Sequence, residues 1–456
     1  MKPIPAMRVV TSTGAQVLGR PPFGAFLSVS TDTRTLEPGA LFIALRGENF
    51  DGHRFLGKAE ERGALAAIVD EAGIAEYPCD LPIYIVKDTL KAYGDLASGY
   101  RRQFSIPVVG ITGTVGKTTT KDFTSAILGA LGPVVATEAN FNNDVGVPQT
   151  LFGITDNTAA AVVEMGMRGA GQIARLAAVA EPTCGIITTI GKTHSEFFAD
   201  GEAGVARAKT ELLWGLADGA PVGLPAESPW LESVLRPAAK GPVTTFGMAA
   251  GDVRAEDYRL VDGGAAFRIA SPEGHVDVHL SAPGRHLALN AAAAFCTAIW
   301  HAVPLEAAAE ALASVSLGKH RLQVHHAPGG WTVIDDSYNA GPESTRAALE
   351  VLHDWPAKRR FAVLGDMREL GPAAEAEHIA LGVPAARTLD MLVTVGELAS
   401  FIGEAAFDAG LSKWIHAADA GSAAEAVESL LREGDVVLVK GSRALALEHA
   451  VEGLVQ

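Results

Sequence analysis

Gly110-Ile111-Thr112-Gly113-Thr114-Val115-Gly116-Lys117-Thr118-Thr119-Thr120 is the stretch whose reading decides the fold. Before it, residues 106–111 form a short apolar run of the kind that makes a buried parallel strand. After it, from Lys117 to about Leu131, the pattern is helical. Glycines at a strand-to-helix turn let the backbone approach phosphate oxygens, and the helix N-terminus offers unpaired N–H groups and a favourable dipole. Lys117 has the reach for β/γ-phosphates, and the Thr118 hydroxyl suits Mg²⁺. The pattern is G-x-x-G-K-T, shorter than the general G-x-x-x-x-G-K-[ST], because Ile111 stands five positions before Gly116. The bland alternative is a Gly-rich turn without a ligand. Strand context and the Lys-Thr-Thr-Thr run favour a nucleotide held by Gly113, Thr114, Gly116, Lys117, Thr118 and Thr119.

Outward from this loop, 160–165 and 184–190 are further buried-strand candidates, each followed by a helical stretch. Such alternation predicts a parallel sheet covered by helices on both faces. Between Val243 and Leu280 the period shortens, with alternating segments at 267–269 and 276–280, which predicts an antiparallel patch. Helices are expected at 286–301 and 305–315, where the Ala-rich runs read as buried. Upstream, apolar runs at 64–70 and 83–87 lie among Gly-punctuated turns. Downstream, strand candidates at 331–335, 361–364, 391–395 and 436–439 alternate with helices. The fold class is therefore α/β with three domains. A small α/β unit spans 1–105, a doubly wound parallel-sheet domain with the antiparallel patch spans 106–317, and a Rossmann-like domain spans 318–456.

The bulk composition agrees. Hydrophobic residues make up 48% and charged residues 20% of 456, the balance of a globular chain large enough for several cores. Cys79, Cys184 and Cys296 are scattered without metal or redox spacing and read as small hydrophobes. The chain has no signal-peptide pattern at Met1-Lys2-Pro3-Ile4-Pro5 and no apolar run of membrane-spanning length, so the cytoplasm is the expected compartment. A net charge of −16 disfavours nucleic acid as a partner while leaving small anions open. A monomer is expected.

The loop at 113–120 resembles the ATP loop of the Mur ligases, usually G-T-N-G-K-T-T, with Val115 in place of the Asn. The resemblance continues through most of the chain. Thr31-Asp32-Thr33-Arg34, the run 38–45, and Gly47 through Asp51-Gly52-His53 look like the family's N-terminal UDP-sugar domain. Asn140-Phe141-Asn142-Asn143-Asp144-Val145-Gly146-Val147-Pro148 is similar to the segment after the second strand of its central domain. Asp335-Asp336-Ser337-Tyr338-Asn339-Ala340-Gly341-Pro342 resembles its C-terminal nucleotide turn, with Gly341 where Asn is usual. Within the family these versions look most like the enzymes that add D-alanyl-D-alanine to UDP-N-acetylmuramoyl-tripeptide. The resemblance thus implies ATP and Mg²⁺ as cofactors and those two molecules as substrates. Thr31, Asp32, Thr33, Arg34, Gly47, Asp51, His53, Asn142 and Asn143 become the implied substrate contacts.

Glu164 ends an apolar run at the carboxyl end of an expected strand, where ligands of such sheets bind. A carboxylate there suits Mg²⁺, although a solvated strand end is nearly as good a reading until the resemblance is weighed. His194 follows the next strand. Imidazole is an unusual Mg²⁺ ligand, and only the match of Thr193-His194-Ser195-Glu196 to the family's Ala-His-Leu-Glu implies a metal role. Lys209 sits in a helical stretch and reads by itself as a solvated lysine; the matching family lysine is carbamylated and ligates the metal. The resemblance likewise makes Arg321 a γ-phosphate contact on domain closure, and Asp336 and Asn339 nucleotide contacts from the closing side. Asn290 keeps one position of the family's His-Asn-x-x-Asn run after His286, while Leu287 replaces the other. Lys117, Glu164, His194, Lys209 and Arg321 are then the catalytic set, and Thr118, Glu164, His194 and Lys209 the metal set.

Three rivals compete with this reading. A folylpolyglutamate synthase lacks a block like 1–105. The diamino-acid-adding Mur ligase usually carries a D-N-P-R or D-D-P-like turn where this chain has Tyr338-Asn339-Ala340-Gly341-Pro342. A non-enzymatic nucleotide switch would bind ATP or GTP at the loop to control a partner. The guanine-specifying N-K-x-D run does not follow the loop, and two nucleotide-facing domains suit bond formation better than signalling.

Overall fold

The computed structural model describes residues 1–20, 24–47, 50–77, 79–193 and 195–456. The strand entering the phosphate loop is Val108–Thr112, and the helix leaving it is Lys117–Leu128, closed by a 3₁₀ turn at Gly129–Leu131. Val108–Thr112 lies between Ala160–Glu164 and Cys184–Ile187, parallel to both. Successive strand residues point to opposite faces. Val109, Ile111, Ala160, Val162, Cys184 and Ile186 therefore enter one core, with helices Lys117–Leu128 and Arg285–Trp300. Val108, Ala161 and Val163 enter the other, with Leu96, Leu151, Leu176 and Leu212 from four more helices. A strand buried on both faces has no polar side to show, which is why these runs are continuously apolar.

The central sheet has nine strands in the order Val134–Ala136, Ala160–Glu164, Val108–Thr112, Cys184–Ile187, Val222–Pro225, Val243–Gly247, Val253–Val261, Gly264–Ser271 and Gly274–Leu280. The antiparallel patch is the far end of this same sheet. It begins later than the sequence pattern suggests, because Val243–Gly247 pairs parallel with Val222–Pro225 and only the last three strands pair antiparallel with one another. Ala291, Ala292, Ala293 and Ala294 are fully buried, their small side chains letting the helix lie close to its neighbours.

The C-terminal sheet runs Gln323–His326, Thr332–Asp335, Val436–Lys440, Arg360–Gly365, Met391–Val395 and Trp414–Ala417, parallel except for its first pair. Its two edge strands, Gln323–His326 and Trp414–Ala417, have no apolar run to announce them. The N-terminal sheet runs Gln16–Leu18, Ile83–Val86, Ala66–Asp70, Ala40–Ile43 and Ser28–Ser30. Its inner face (Leu41, Ile43, Ile68 and Tyr84) shares a core with the central domain through helix Thr89–Arg101.

Tyr100 fastens that helix. It is fully buried, donates its hydroxyl proton to the Ile154 carbonyl at 2.5 Å and accepts the Lys2 N–H at 2.7 Å. Removing the hydroxyl leaves both backbone groups without this partner. Tyr100→Phe is expected to destabilise the N-terminal and central pair by about 1–3 kcal/mol, measured as the shift of the first urea transition against wild type.

Candidate active site

The phosphate loop is held open from outside. Gly113 (φ +155°) and Gly116 (φ +87°) take conformations that L side chains rarely adopt. A Cβ on Gly113 would fall 1.9 Å from Thr188 Oγ1, and one on Gly116 would fall 2.3 Å from Asn290 Oδ1. Thr188 and Thr189, just past strand Cys184–Ile187, brace the loop. Thr114 N donates to the Thr189 carbonyl at 2.8 Å and Val115 N to Thr189 Oγ1 at 3.0 Å, while Thr188 Oγ1 donates to the Val115 carbonyl at 2.6 Å. No side chain caps helix Lys117–Leu128, so the amides of its first turn are left for an anion.

Lys117 folds over the loop, its ammonium donating to the carbonyls of Gly113 (2.9 Å) and Thr114 (3.0 Å). Burial lowers its pKa; the Glu164 carboxylate works against this and the Arg321 guanidinium adds to it. Lys209, on helix Glu202–Trp214, is 1% exposed. Its pKa is pushed well below the ordinary lysine value by burial and then by Lys117, against the pull of Glu164 and Glu211. The fold therefore gathers Lys117, Glu164, Lys209 and Arg321 within one electrostatic neighbourhood.

Glu164 is 2% exposed at the end of its strand. Oε1 accepts from Asn142 Nδ2 at 2.8 Å, and Oε2 is buried with no hydrogen-bond partner among the described residues. A buried carboxylate oxygen without a donor calls for a cation. The donor set fits Mg²⁺, which takes oxygen ligands: Thr118 is the second residue of the adjacent helix, and Lys209 lies nearby in a setting that favours its neutral amine. His194 lies outside the described residues.

The closing side is built by the C-terminal domain. Arg321 lies between two residues in the left-handed region, His320 (φ +62°) and Leu322 (φ +49°), and its guanidinium stacks over Tyr338 at 4.2 Å. His320 Nδ1 sits 2.8 Å from Asp335 Oδ2, and the His320 carbonyl accepts Tyr338 N at 3.0 Å. Burial raises the pKa of Asp336, although Lys440 Nζ pairs with it at 2.5 Å. Asn339 is exposed, and its carbonyl accepts from the same ammonium at 2.9 Å. His286 is half-buried, and its pKa is driven down to about 4 by desolvation and then by Lys440, while Leu287 is a core residue.

Some expected substrate contacts have structural duties. The Asn142 amide is turned toward Glu164, and Asn143 Oδ1 accepts the amides of Val145 and Gly146 at the start of helix Gly146–Phe152. His53 is fully buried, with Nδ1 at 2.7 Å from Asp51 Oδ1 and Nε2 accepting Asp70 N at 3.1 Å. It supports from beneath a cluster in which Arg46 pairs with Asp51 (3.2 Å) and Asp70 (3.3 Å). Thr31, Asp32 and Arg34 follow strand Ser28–Ser30. Asp32 receives a bidentate pair from Arg34, whose hydrogen bonds hold the carboxyl below its usual range; Thr33 is buried. Gly47 lies on the short hairpin beside Asp51. These loops cluster at the carboxyl ends of the parallel N-terminal strands, the edge where such sheets take ligands. Sequence reading missed the Thr188–Thr189 brace and the Asn142–Glu164 bond. Hydroxyl residues directly after a buried strand were the one available signal for the first.

Comparison with known proteins places this arrangement. Residues 26–101 match the Mur ligase family, catalytic domain; 111–298 match the Mur ligase middle domain; and 320–443 match the Mur ligase, glutamate ligase domain. The chain is 37% identical over 435 residues to UDP-N-acetylmuramoyl-tripeptide--D-alanyl-D-alanine ligase of Escherichia coli strain K12, covering 94% of this chain and 93% of that protein. Among solved structures it is similar to MurF from Acinetobacter baumannii, with a TM-score of 0.91, 31% identity, and 100% and 99% of the two chains covered. MurF ligase from Thermotoga maritima in complex with ADP is also similar, with a TM-score of 0.83, 27% identity, and coverage of 94% and 96%.

The contact between Gly116 and Asn290 supplies a test of the loop. Gly116→Ala combines a left-handed φ with a clash against a buried amide, a penalty of about 1–3 kcal/mol or more, and is expected to weaken ATP binding roughly tenfold or beyond. Gly129→Ala, at the far end of the same helix where a Cβ meets nothing within 4 Å, should leave calorimetric ATP affinity unchanged.

Proposed function

We propose, because the chain belongs to the Mur ligase family, that the cluster around the phosphate loop transfers a phosphoryl group from ATP to a peptide carboxylate. The reaction is the ATP-dependent joining of D-alanyl-D-alanine to UDP-N-acetylmuramoyl-tripeptide, a step of peptidoglycan precursor synthesis. The observation that carries the residue assignment is the gathering of Lys117 and Lys209 beside a Glu164 carboxylate with an unpaired buried oxygen, with Arg321 within electrostatic reach of Lys117.

The loop amides and Lys117 hold the phosphates of ATP, and Asp336 and Asn339 approach the nucleotide from the C-terminal side. The UDP end of the tripeptide substrate lies on the N-terminal loops around Thr31, Asp32, Thr33, Arg34, Gly47 and Asp51. The terminal carboxylate attacks the γ-phosphorus; that O–P bond forms as the bond to the ADP oxygen breaks. Charge spreading over the transferring oxygens is met by Lys117 and Arg321. The dipeptide amine then attacks the acyl phosphate carbonyl, phosphate leaves, and the amine proton is released to solvent or a base. Thr118, Glu164, His194 and a carbamylated Lys209 would hold magnesium, which supplies charge neutralisation on the phosphates. Asn142 keeps Glu164 in place for that role. The cytoplasm suits a nucleotide-linked substrate, and among the described residues no helix is long and apolar enough to cross a membrane.

Phosphate release from ATP should require both UDP-N-acetylmuramoyl-tripeptide and D-alanyl-D-alanine, and fall by about 10²–10³ in Lys117→Ala. Release driven instead by a diamino acid with the UDP-dipeptide would move the reaction one step earlier.

Carbamylation needs a neutral amine. Since the pKa of Lys209 is depressed, its neutral fraction at pH 7–8 exceeds that of an ordinary lysine and rises with pH. Activity in CO₂-free buffer should therefore fall, recover with bicarbonate, and recover more fully at the higher pH. Indifference of the rate to bicarbonate across that range would remove the carbamate from the mechanism.

A further inference from the structure

Glu343 is the second residue of helix Pro342–Asp354 in the C-terminal domain, yet its carboxylate is spent on the central domain. Oε1 accepts the backbone N–H of Lys192 at 2.8 Å, and Oε2 lies 3.5 Å from Thr193 Oγ1. The contacted segment leads straight to the phosphate loop. Gly191 N donates to Thr114 Oγ1 at 2.9 Å, and Thr114 N donates to the Thr189 carbonyl at 2.8 Å. Gly191 is pinched between the two sides: a Cβ there would lie 2.5 Å from Glu343 Oε1 and 3.3 Å from Thr114 Cγ2. Lys192 adds a second tie, its ammonium 2.9 Å from Glu377 Oε1 of the C-terminal domain.

We propose that Glu343 is a positioning residue that couples closure of the C-terminal domain to the phosphate loop, by docking on Gly191–Lys192 while Thr114 holds their other side. The domain that delivers Arg321 thereby also sets the loop that holds the phosphates. Closure without this contact leaves the acyl phosphate poorly shielded, and water competes with the dipeptide amine for it: the acyl C–O or O–P bond then breaks by hydrolysis, giving free carboxylate and phosphate. A carboxylate accepting a backbone N–H is a charge-assisted bond, but the requirement is for an acceptor at that point.

The proposal rests on the ligase reading, and the experiment separates the two. Amide and phosphate are measured together for wild type, Glu343→Ala, Glu343→Gln, Gly191→Ala and Arg168→Ala. Absence of amide from wild type overturns the ligase reading itself. With wild type active, Glu343→Ala is expected to lose about tenfold or more in kcat. Its KM for ATP should stay within about threefold, and its phosphate released per amide formed should rise above one. Glu343→Gln keeps an acceptor oxygen and should recover most of kcat. Gly191→Ala should mimic Glu343→Ala, and the double variant should be little worse than either, since both break one contact. Arg168→Ala removes an exposed ion pair to Glu369 (3.3 Å) across the same interface and should change kcat less than twofold. Wild-type kcat and coupling in Glu343→Ala overturn the proposal. So does a loss in Glu343→Gln as deep as in Glu343→Ala, or an equal loss in Arg168→Ala.

Discussion

Backbone amides hold phosphate only when nothing else caps them, and a turn with its own amides free does not keep its shape unaided. The segment from Thr112 to Lys117 meets that demand by borrowing its support. Its two glycines carry the unusual φ values, and the Thr188–Thr189 pair takes the Thr114 and Val115 amides that do not face the ligand. Thr112 Oγ1 ties the end of the strand to the Met165 carbonyl at 2.8 Å, next to Glu164. Three adjacent parallel strands thus converge on one loop. The order of the central sheet, with the loop strand between the strands of Glu164 and Thr188, is what makes this possible.

The charges follow from that convergence. Lys117 and Lys209 lie within reach of Glu164, and Arg321 within reach of Lys117, while Glu211, which also attracts Lys209, is engaged in accepting the amides of Gly171 (2.6 Å) and Ala174 (3.1 Å) at the start of helix Gln172–Ala180. Positive groups outnumber free negative ones in a buried space. Such an arrangement opposes folding and favours a polyanionic ligand, since each lysine regains its charge preference only when an anion enters. Burial that depresses the Lys209 pKa would also serve the proposed carbamylation, because a neutral amine is a nucleophile and an ammonium is not.

The strand entering the phosphate loop and most inner strands of both large sheets were readable because burial on two faces leaves unbroken apolar runs. Val134–Ala136 and Trp414–Ala417 were not: one is three residues long, the other has two exposed side chains, and both lie at sheet edges. Glu164 was singled out by its place at a strand end together with the family resemblance. Lys209 looked like a solvated helix lysine, since helical spacing does not say which neighbour covers a face, and only the family resemblance singled it out. Asn142, Asn143 and His53 were singled out as substrate contacts by the family resemblance, and what the sequence did not disclose is that their side chains also serve Glu164, a helix start and the Asp51–Asp70 cluster. An amide or imidazole takes whichever partner the tertiary fold brings near, and residue type alone does not choose.

The two sides of the interface between the central and C-terminal domains differ in chemistry. On the far side Val324 and Trp355 approach the hairpin turn at Gly263, within 4.0 Å of where its Cβ would stand, and Leu322 joins the shared core. At the mouth of the cleft the contacts are Glu343 with Lys192, Glu377 with Lys192 and Glu369 with Arg168. Apolar surface resists separation because exposing it to water is unfavourable. Half-exposed ion pairs and a backbone hydrogen bond exchange for water at little net cost. Separation at the mouth would therefore cost less than separation at the apolar side, and the two left-handed residues flanking Arg321 lie where the chain passes from one domain to the other. An enzyme that must admit two substrates, exclude water and then release ADP needs an interface that is unequal in this way.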